Sequence, residues 1–295
     1  MTRYEPAIDL DAITAIDVHV HIEVDGHGHA SLPDDLAAAA ARYFSTDGPN
    51  PDLDSIAAYY RERRMAAVVF TVDAETQLGH APLSSEDIAE GAARNNDVLI
   101  PFGSVDPRRT DALDRARRLL DEHGVRGFKF HPTVQGFDPS DEAHFPLYEL
   151  LQEEGVVALF HTGQTGIGAG LPGGRGLLLG LSNPILLDPV AARFPALQII
   201  MAHPSVPWQD EALSVATHKH NTWIDLSGWS PKYFPESLVR AANSYLKKRI
   251  LFGSDFPLLT PDRWMRDAET VGSFKPEVLP GILKDNAARL FGLGG

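Results

Sequence analysis

Residues Ala15–Ile22 read AIDVHVHI, and Arg249–Pro257, near the other end of the chain, read RILFGSDFP. Each is a short apolar run with imidazole or carboxylate side chains at or near its C-terminal end. Six similar runs lie between them: AAVVFTV from Ala66, VLIPFGSV from Val98, VRGFKFHP from Val125, VVALFHTG from Val156, LQIIMAHP from Leu197 and TWIDLSGW from Thr222. Continuous rather than alternating hydrophobicity is the mark of parallel strands buried on both faces.

Helical patterns fill the intervals. Leu53 to Arg64 has apolar residues at helical spacing. Ser84 precedes Asp87 by three residues, a weak capping-box pattern. Thr110 to His123 is amphipathic and meets Gly124, a residue suited to the position after a helix. Phe145 to Glu154 meets Gly155 in the same way. Asp188–Pro189 reads as a cap followed by proline at the first helical position. Trp208 to His218, Pro235 to Lys248 and Pro276 to Phe291 complete the set.

Strand–helix alternation throughout predicts an α/β fold with a parallel sheet and outer helices. Eight units make a closed (β/α)8 barrel of the TIM type the first choice. A doubly wound open sheet is the alternative, but no G-x-G-x-x-G follows the first strand. The first unit is long. Glu23 to Asp52 contains glycines, histidines, prolines and an alanine-rich helix at Asp34 to Phe44, and it is read as a rim or cap insertion. The whole of 1–295 is read as one barrel domain, within the size that α/β barrels use.

Composition sets limits on function. The chain has 295 residues with 26 basic and 40 acidic side chains, a formal net charge of −14, and no cysteine. Thiolate chemistry is excluded, and any metal must be held by His, Asp or Glu. An acidic chain repels phosphate backbones, so nucleic acid is not an expected partner. A small anionic substrate held by local cations is compatible with the charge. No apolar run reaches 18 residues, so no membrane span is expected. The first residues lack a signal-peptide pattern, and a cytoplasmic enzyme is the default expectation. A homo-oligomer, most simply a dimer, is expected.

Five histidines fall at or near predicted strand ends: His19 and His21 on the first, His131 on the fourth, His161 on the fifth and His203 on the sixth. Asp255 has the same place on the eighth. In a barrel those ends converge on one mouth. His19 and His21 are two apart and share a strand face, so they form a chelating pair. A third imidazole and a carboxylate complete a nitrogen–oxygen site suited to Zn²⁺ or another borderline divalent ion. A lone histidine near a strand end is usually just hydrogen-bonded; five at matching topological positions are a stronger signal.

In this order, DVHVH, FHTG, MAHP and FGSDFP resemble the amidohydrolase superfamily, specifically its amidohydrolase-2 branch. That branch includes aminocarboxymuconate-semialdehyde decarboxylase and related lactone and carbon–carbon hydrolases. The terminal DNAARLFGL is similar to the branch's last helix, and the resemblance runs from Ile16 to Leu293. It implies that His19, His21, His161 and Asp255 bind one divalent metal, Zn²⁺ first and Mn²⁺ second. It implies that His203 acts on the substrate or on its attacking water. His-x-His in place of Glu-x-His leans away from the aromatic-acid decarboxylases that carry Glu.

Lys129 stands where binuclear members carry a bridging carboxylated lysine. Here it is read either as a positive group for a substrate carboxylate or carbonyl, or as a barrel-lining lysine paired with an acid. His131 shares its strand face and is assigned to substrate. The stretch TGQTGIGAGLPGGRGLLLG after His161 is read either as an anion site using Arg175 and glycine N–H groups, or as a mobile lid. Trp208, Trp229 and Trp264 follow strands six to eight and suggest an aromatic wall, with Trp229 assigned to substrate.

The reading is a metal-dependent hydrolase with Asp255 and His203 as catalytic residues. It cleaves a lactone, an amide or the C–C bond of a β-keto compound, with a β-ketoacyl thioester of coenzyme A among the substrates considered. Metal-dependent, non-oxidative decarboxylation of an aromatic or muconate-type acid is the alternative. A non-catalytic barrel that binds a small acid is the alternative from another class.

Overall fold

The computed structural model describes residues 3–45 and 49–294; residues 46–48 of the expected rim insertion lie outside the described residues, as do 1, 2 and 295. Eight strands follow one another in chain order: β1 Ala15–His21, β2 Met65–Phe70, β3 Leu99–Pro101, β4 Gly127–Phe130, β5 Val157–His161, β6 Gln198–Ala202, β7 Thr222–Asp225 and β8 Ile250–Leu251. Parallel ladders run from β1 to β3 and from β4 to β8. Parallel bridges Gly103↔Phe128 and Val20↔Phe256 join the two sheets at both seams. The sheet therefore closes on itself, and the (β/α)8 barrel expected from the sequence is the fold.

Two apolar layers explain why the strand runs are continuous. Ile16, Val18, Ala66, Val68, Ile100, Leu159, Ile200 and Leu251 pack together inside the barrel, plugged at one end by Ala287, Ala288 and Phe291 of the last helix. Alternate residues such as Val20, Ala67, Val69, Phe128, Phe160, Ile199 and Ile224 pack outward against the helices.

Several helix ends follow the sequence. Ser84 caps the helix Ser85–Arg94, its Oγ accepting from Asp87 N at 2.9 Å. Gly124 and Gly155 both take left-handed backbone at φ 70° and 64°. Others differ. Asp188 does not cap a helix, because Leu187–Arg193 begins one residue earlier and Asp188 pairs with Lys219 Nζ at 2.7 Å. The expected helix at Pro235–Lys248 is regular only over Glu236–Ala242. The expected helix ending at Phe291 is a π-turn, Gly281–Asp285, followed by Asn286–Leu290. The barrel seam interrupts it: Phe252 N takes the Ile282 carbonyl at 2.9 Å, and Asn286 Nδ2 donates to Ile250 O at 2.8 Å.

Candidate metal centre and active site

Strand β1 sets the site. Its ladder with β2 is irregular between Asp17 and Val20. Before this point Ile16 and Val18 belong to the barrel interior; after it Val20 and Ile22 pack outward. A ladder irregularity that switches faces is a common way to re-aim side chains beside a site. His19 and His21 turn inward above the apolar plug, with their Nε2 atoms 3.2 Å apart. Phe70 meets both rings edge-on at 5.1 and 4.9 Å between centroids. Asp17 points away from this pair. It accepts from Tyr60 Oη at 2.7 Å and Ser254 N at 2.9 Å, tying β1 to the segment after β8.

That segment delivers Asp255. Its backbone N donates to His19 O at 3.0 Å, and its Oδ1 lies 3.3 Å from His19 Nε2 and 3.2 Å from His21 Nε2. Asp255 and His203 both hold left-handed backbone, at φ 74° and 69°, which non-glycine residues adopt seldom and chiefly where function or context demands it. Gly228 lets them meet: a Cβ there would stand 2.7 Å from His203 Nδ1 and 3.2 Å from Asp255 Oδ2.

Two carboxylates that the sequence reading does not single out, one of them working with a serine, organise these rings. Asp225, at the end of β7 and fully buried, accepts from His19 Nδ1 at 2.9 Å, from Ser227 N at 2.8 Å and from His203 N at 3.3 Å. Ser227 Oγ reaches His19 Nδ1 at 3.0 Å and His203 Nδ1 at 2.9 Å. An aspartate inside the apolar run WIDL was the available signal, since a buried carboxylate needs partners. Glu23 is the other. Its Oε1 faces His21 Nδ1 at 3.3 Å, and its Oε2 accepts from Ser31 Oγ. The alternation of His19, His21 and Glu23 along one strand direction was the signal there.

The residues fit a divalent ion. The donors are imidazole nitrogens and a carboxylate oxygen, as Zn²⁺ or Mn²⁺ accepts. The Nδ1 atoms of His19 and His21 both face carboxylates, which leaves each Nε2 for a metal, the usual arrangement around metal-binding histidines. His161 Nε2 is buried without a hydrogen-bond partner. One ligand atom each from His19, His203 and Asp255 lies within 4.8 Å of the others. This tight cluster contains His203, whereas the sequence set contained His161. The two rings share one side of the site, with His203 Nε2 3.0 Å from His161 Nδ1. His131 stacks on His161 with centroids 3.7 Å apart.

Burial keeps most of these rings neutral. His19, His131 and His161 sit well below the ordinary histidine pKa, chiefly by desolvation and also through neighbouring positive groups. His203 is lowered less, because Asp255 and Asp225 oppose the burial. His21 goes the other way: burial pulls it down, but contacts with Asp255 and Glu23 outweigh that and raise it. Burial would raise Asp255, yet His21, His19 and His203 together hold it well below the usual carboxylate range.

Lys129 does not reach substrate space. It is fully buried, with Nζ 3.0 Å from His19 Nε2 and 4.9 Å from the Phe70 ring centre. Burial lowers its pKa to about 8, with Asp225 and Asp255 opposing. The expected substrate contact is corrected on this ground: the lysine lies beneath His19, in the floor.

A cavity of about 320 Å³ opens above the cluster. His21, His131, His161, His203 and Asp255 form its floor, and Glu23 a side. Its upper walls come from Tyr43, Phe44, Trp229, Tyr233, Leu258 and Arg263. Trp229 is thus the one member of the expected tryptophan wall that lines the cavity. Trp264 is buried in the core and donates to Leu226 O at 3.1 Å, and Trp208 is not in the lining. Only part of the glycine-rich loop, Gln164 to Ile167, takes part. Gly166 is required there, since a Cβ would stand 2.5 Å from Phe44 Cζ. Arg175 is outside the lining. Its Nε donates to Asp35 Oδ2 at 2.8 Å, fastening the loop to the rim helix Asp34–Phe44. The expected anion contact by Arg175 is therefore corrected. Arg263, which the sequence reading missed, is the arginine in the wall; its nearest acid, Asp267, is 3.9 Å away and already paired with Lys232 at 2.8 Å.

Residues 16–293 match the family model described as Amidohydrolase. No curated protein matches the chain. Among solved structures it is similar to an uncharacterized TIM-barrel protein from Bordetella bronchiseptica, at 22% identity and TM-score 0.74, covering 94% of this chain and 98% of that one. It is also similar to 5-carboxyvanillate decarboxylase from Novosphingobium aromaticivorans, complexed with manganese and 4-hydroxy-3-methoxy-5-nitrobenzoic acid, at 14% identity and TM-score 0.67, covering 99% and 100%. A third is a probable 2-pyrone-4,6-dicarboxylic acid hydrolase from Acinetobacter baumannii with citric acid bound, at 15% identity and TM-score 0.64, covering 95% and 100%. At these identities the likeness establishes the fold.

Proposed function

The chain belongs to the amidohydrolase family, and from that premise we propose that it is a metal-dependent decarboxylase of a small, planar, aromatic or enolic acid. The carrying observation is the cavity itself. A His/Asp cluster forms its floor, aromatic rings of Tyr43, Phe44, Trp229 and Tyr233 form its walls, and Arg263 stands at its edge. About 320 Å³ suits a compact acid, in the lower range of small-molecule pockets. The thioester reading loses its cation, because Arg175 is paired with Asp35.

His19, His21 and Asp255, with His161 as the fourth donor, would hold the ion. The chemistry such an ion would supply is polarisation of the oxygen next to the reacting carbon. The protein's own part is positioning and proton handling. His203 lines the cavity, with Nδ1 held by Ser227 O at 3.1 Å and Ser227 Oγ at 2.9 Å and Nε2 beside His161 Nδ1 at 3.0 Å. In its protonated form His203 would give a proton to the carbon as its bond to the carboxylate carbon breaks. One C–C bond is lost, one C–H bond forms and CO₂ leaves. Several of the similar solved structures are decarboxylases of aromatic acids, which supports proton delivery over base-activated water and reverses the order of the two chemistries expected from sequence.

Hydrolysis of a lactone or β-keto compound is the second reading. It is supported by Asp255 Oδ1, which lies within 3.3 Å of both strand-one imidazoles, where it would touch a metal and its water together. Protein loaded with Zn²⁺ or with Mn²⁺ should be assayed in D₂O against hydroxybenzoates, carboxymuconates and lactones. Decarboxylation predicts CO₂ release with one deuterium on the vacated carbon. Ring opening or chain cleavage without CO₂ would replace it by the hydrolytic reading. Metal-loaded protein that turns over neither class would reject both.

A further inference from the structure

An imidazole ligates a metal through one nitrogen only if that nitrogen bears a lone pair, so the other must carry the proton. A fixed acceptor opposite the second nitrogen selects that tautomer and fixes the ring's direction. His19 has Asp225 for this, 2.9 Å from Nδ1 in the barrel wall. Among the described residues, no barrel residue faces Nδ1 of His21. What faces its Nδ1 is Glu23 Oε1, at 3.3 Å, from the first residues of the rim insertion.

Glu23 is itself held from the rim. A short antiparallel contact, Val24↔Ala30, folds the chain back on itself. Ser31 N then donates to Glu23 O at 3.0 Å, and Ser31 Oγ to Glu23 Oε2. The glutamate lines the cavity, yet its side chain is only 20% exposed. A carboxylate drawn this far from water, with one oxygen on a serine and the other on a ring nitrogen, has a specific task.

We propose that Glu23 is the positioning residue for His21, accepting the Nδ1 proton so that Nε2 is presented to the metal, and that Ser31 couples this orientation to the rim insertion. The two strand-one ligands are thus oriented by different parts of the molecule: His19 by the barrel wall and His21 by the rim. This inference rests on the metal-centre reading above.

The test is the dissociation constant of Zn²⁺ and of Mn²⁺ for the full-length protein, measured by chelator competition without substrate. Glu23→Ala should weaken binding about 10–100-fold, the range for removing the partner of a metal-bound histidine. Glu23→Gln keeps an oxygen acceptor and the shape, and should restore most of the loss. Ser31→Ala should fall between Glu23→Ala and wild type. Thermal midpoints of the metal-free proteins separate misfolding from lost orientation. Wild-type affinity in Glu23→Ala overturns the proposal. Equal losses in Glu23→Ala and Glu23→Gln also overturn it, because charge rather than ring orientation would then be at work. A wild-type protein that binds neither ion overturns the metal-centre reading itself. Tight wild-type binding with unaffected variants overturns only the role of Glu23.

Discussion

His19, Asp225 and Ser227, just beneath the floor of the cavity, have no solvent exposure, whereas Tyr43 and Tyr233 in its roof are 52% and 67% exposed. Strand ends hold most of this region: β1 and β7 exchange the His19–Asp225 contact, and the segment after β8 bonds back to β1. The roof is assembled from loops and rim. Its ties are the Arg175–Asp35 pair and the close seating of Phe44 on Gly166. A buried network with satisfied partners is rigid and intolerant of change. A half-exposed wall of aromatic rings and one arginine can vary without disturbing it. On the proposed function, this difference assigns reaction type to the floor and substrate choice to the roof.

Substitutions should follow that ordering. His19→Ala or His21→Ala removes a ligand from the floor. Both metal content and turnover should fall by more than about 100-fold, beyond the cost of losing only a ligand's hydrogen-bond partner. Metal analysis beside an activity assay checks this, and full occupancy in either variant would break the floor as drawn. Asp225→Ala should weaken metal by about 10–100-fold. It should also lower thermal stability by about 1–3 kcal/mol per buried N–H left without an acceptor, here those of Ser227 and His203. Calorimetry and chelator competition read the two effects separately.

Roof changes should be smaller and should appear in binding. Arg263→Ala should raise KM for an anionic substrate about tenfold or more, the scale of a hydrogen bond to a charged group at 1.5–3 kcal/mol, with kcat nearly kept. A fall in kcat with constant KM would move Arg263 into the chemistry. Arg175→Ala breaks a solvent-screened pair with the exposed Asp35, which contributes little. Its kinetics should stay within a few-fold of wild type, and a large rise in KM would return Arg175 to substrate.

The same division decides what could be read from the sequence. Floor residues lie at the ends of apolar runs, and a closed barrel brings all such ends to one mouth, so His19, His21, His131, His161, His203 and Asp255 were found together. Asp225 was hidden because its partner, His19, is 206 residues away and meets it only through barrel closure. Lys129 was placed on the correct strand, but side-chain depth is set by packing against Phe70 rather than by position in the run. Roof residues were harder still. Composition marked the glycine-rich loop as an anion site, yet a salt bridge to Asp35 on the rim helix removed its arginine. Arg263 lies in a helix, Pro261–Val271, with no local feature that separates it from a surface arginine.

Within the floor, the central claim is that ligands and proton carrier are distinct residues, although His161 Nδ1 and His203 Nε2 stand only 3.0 Å apart. Metal stoichiometry and turnover measured on the same samples of His161→Ala and His203→Ala test it directly. The account predicts that His161→Ala loses metal. It predicts that His203→Ala keeps one ion per chain while turnover drops about 10²- to 10⁴-fold, the range for a general acid–base group. Loss of metal in His203→Ala with retention in His161→Ala would contradict it, making His203 the ligand and leaving the proposed proton delivery without its carrier.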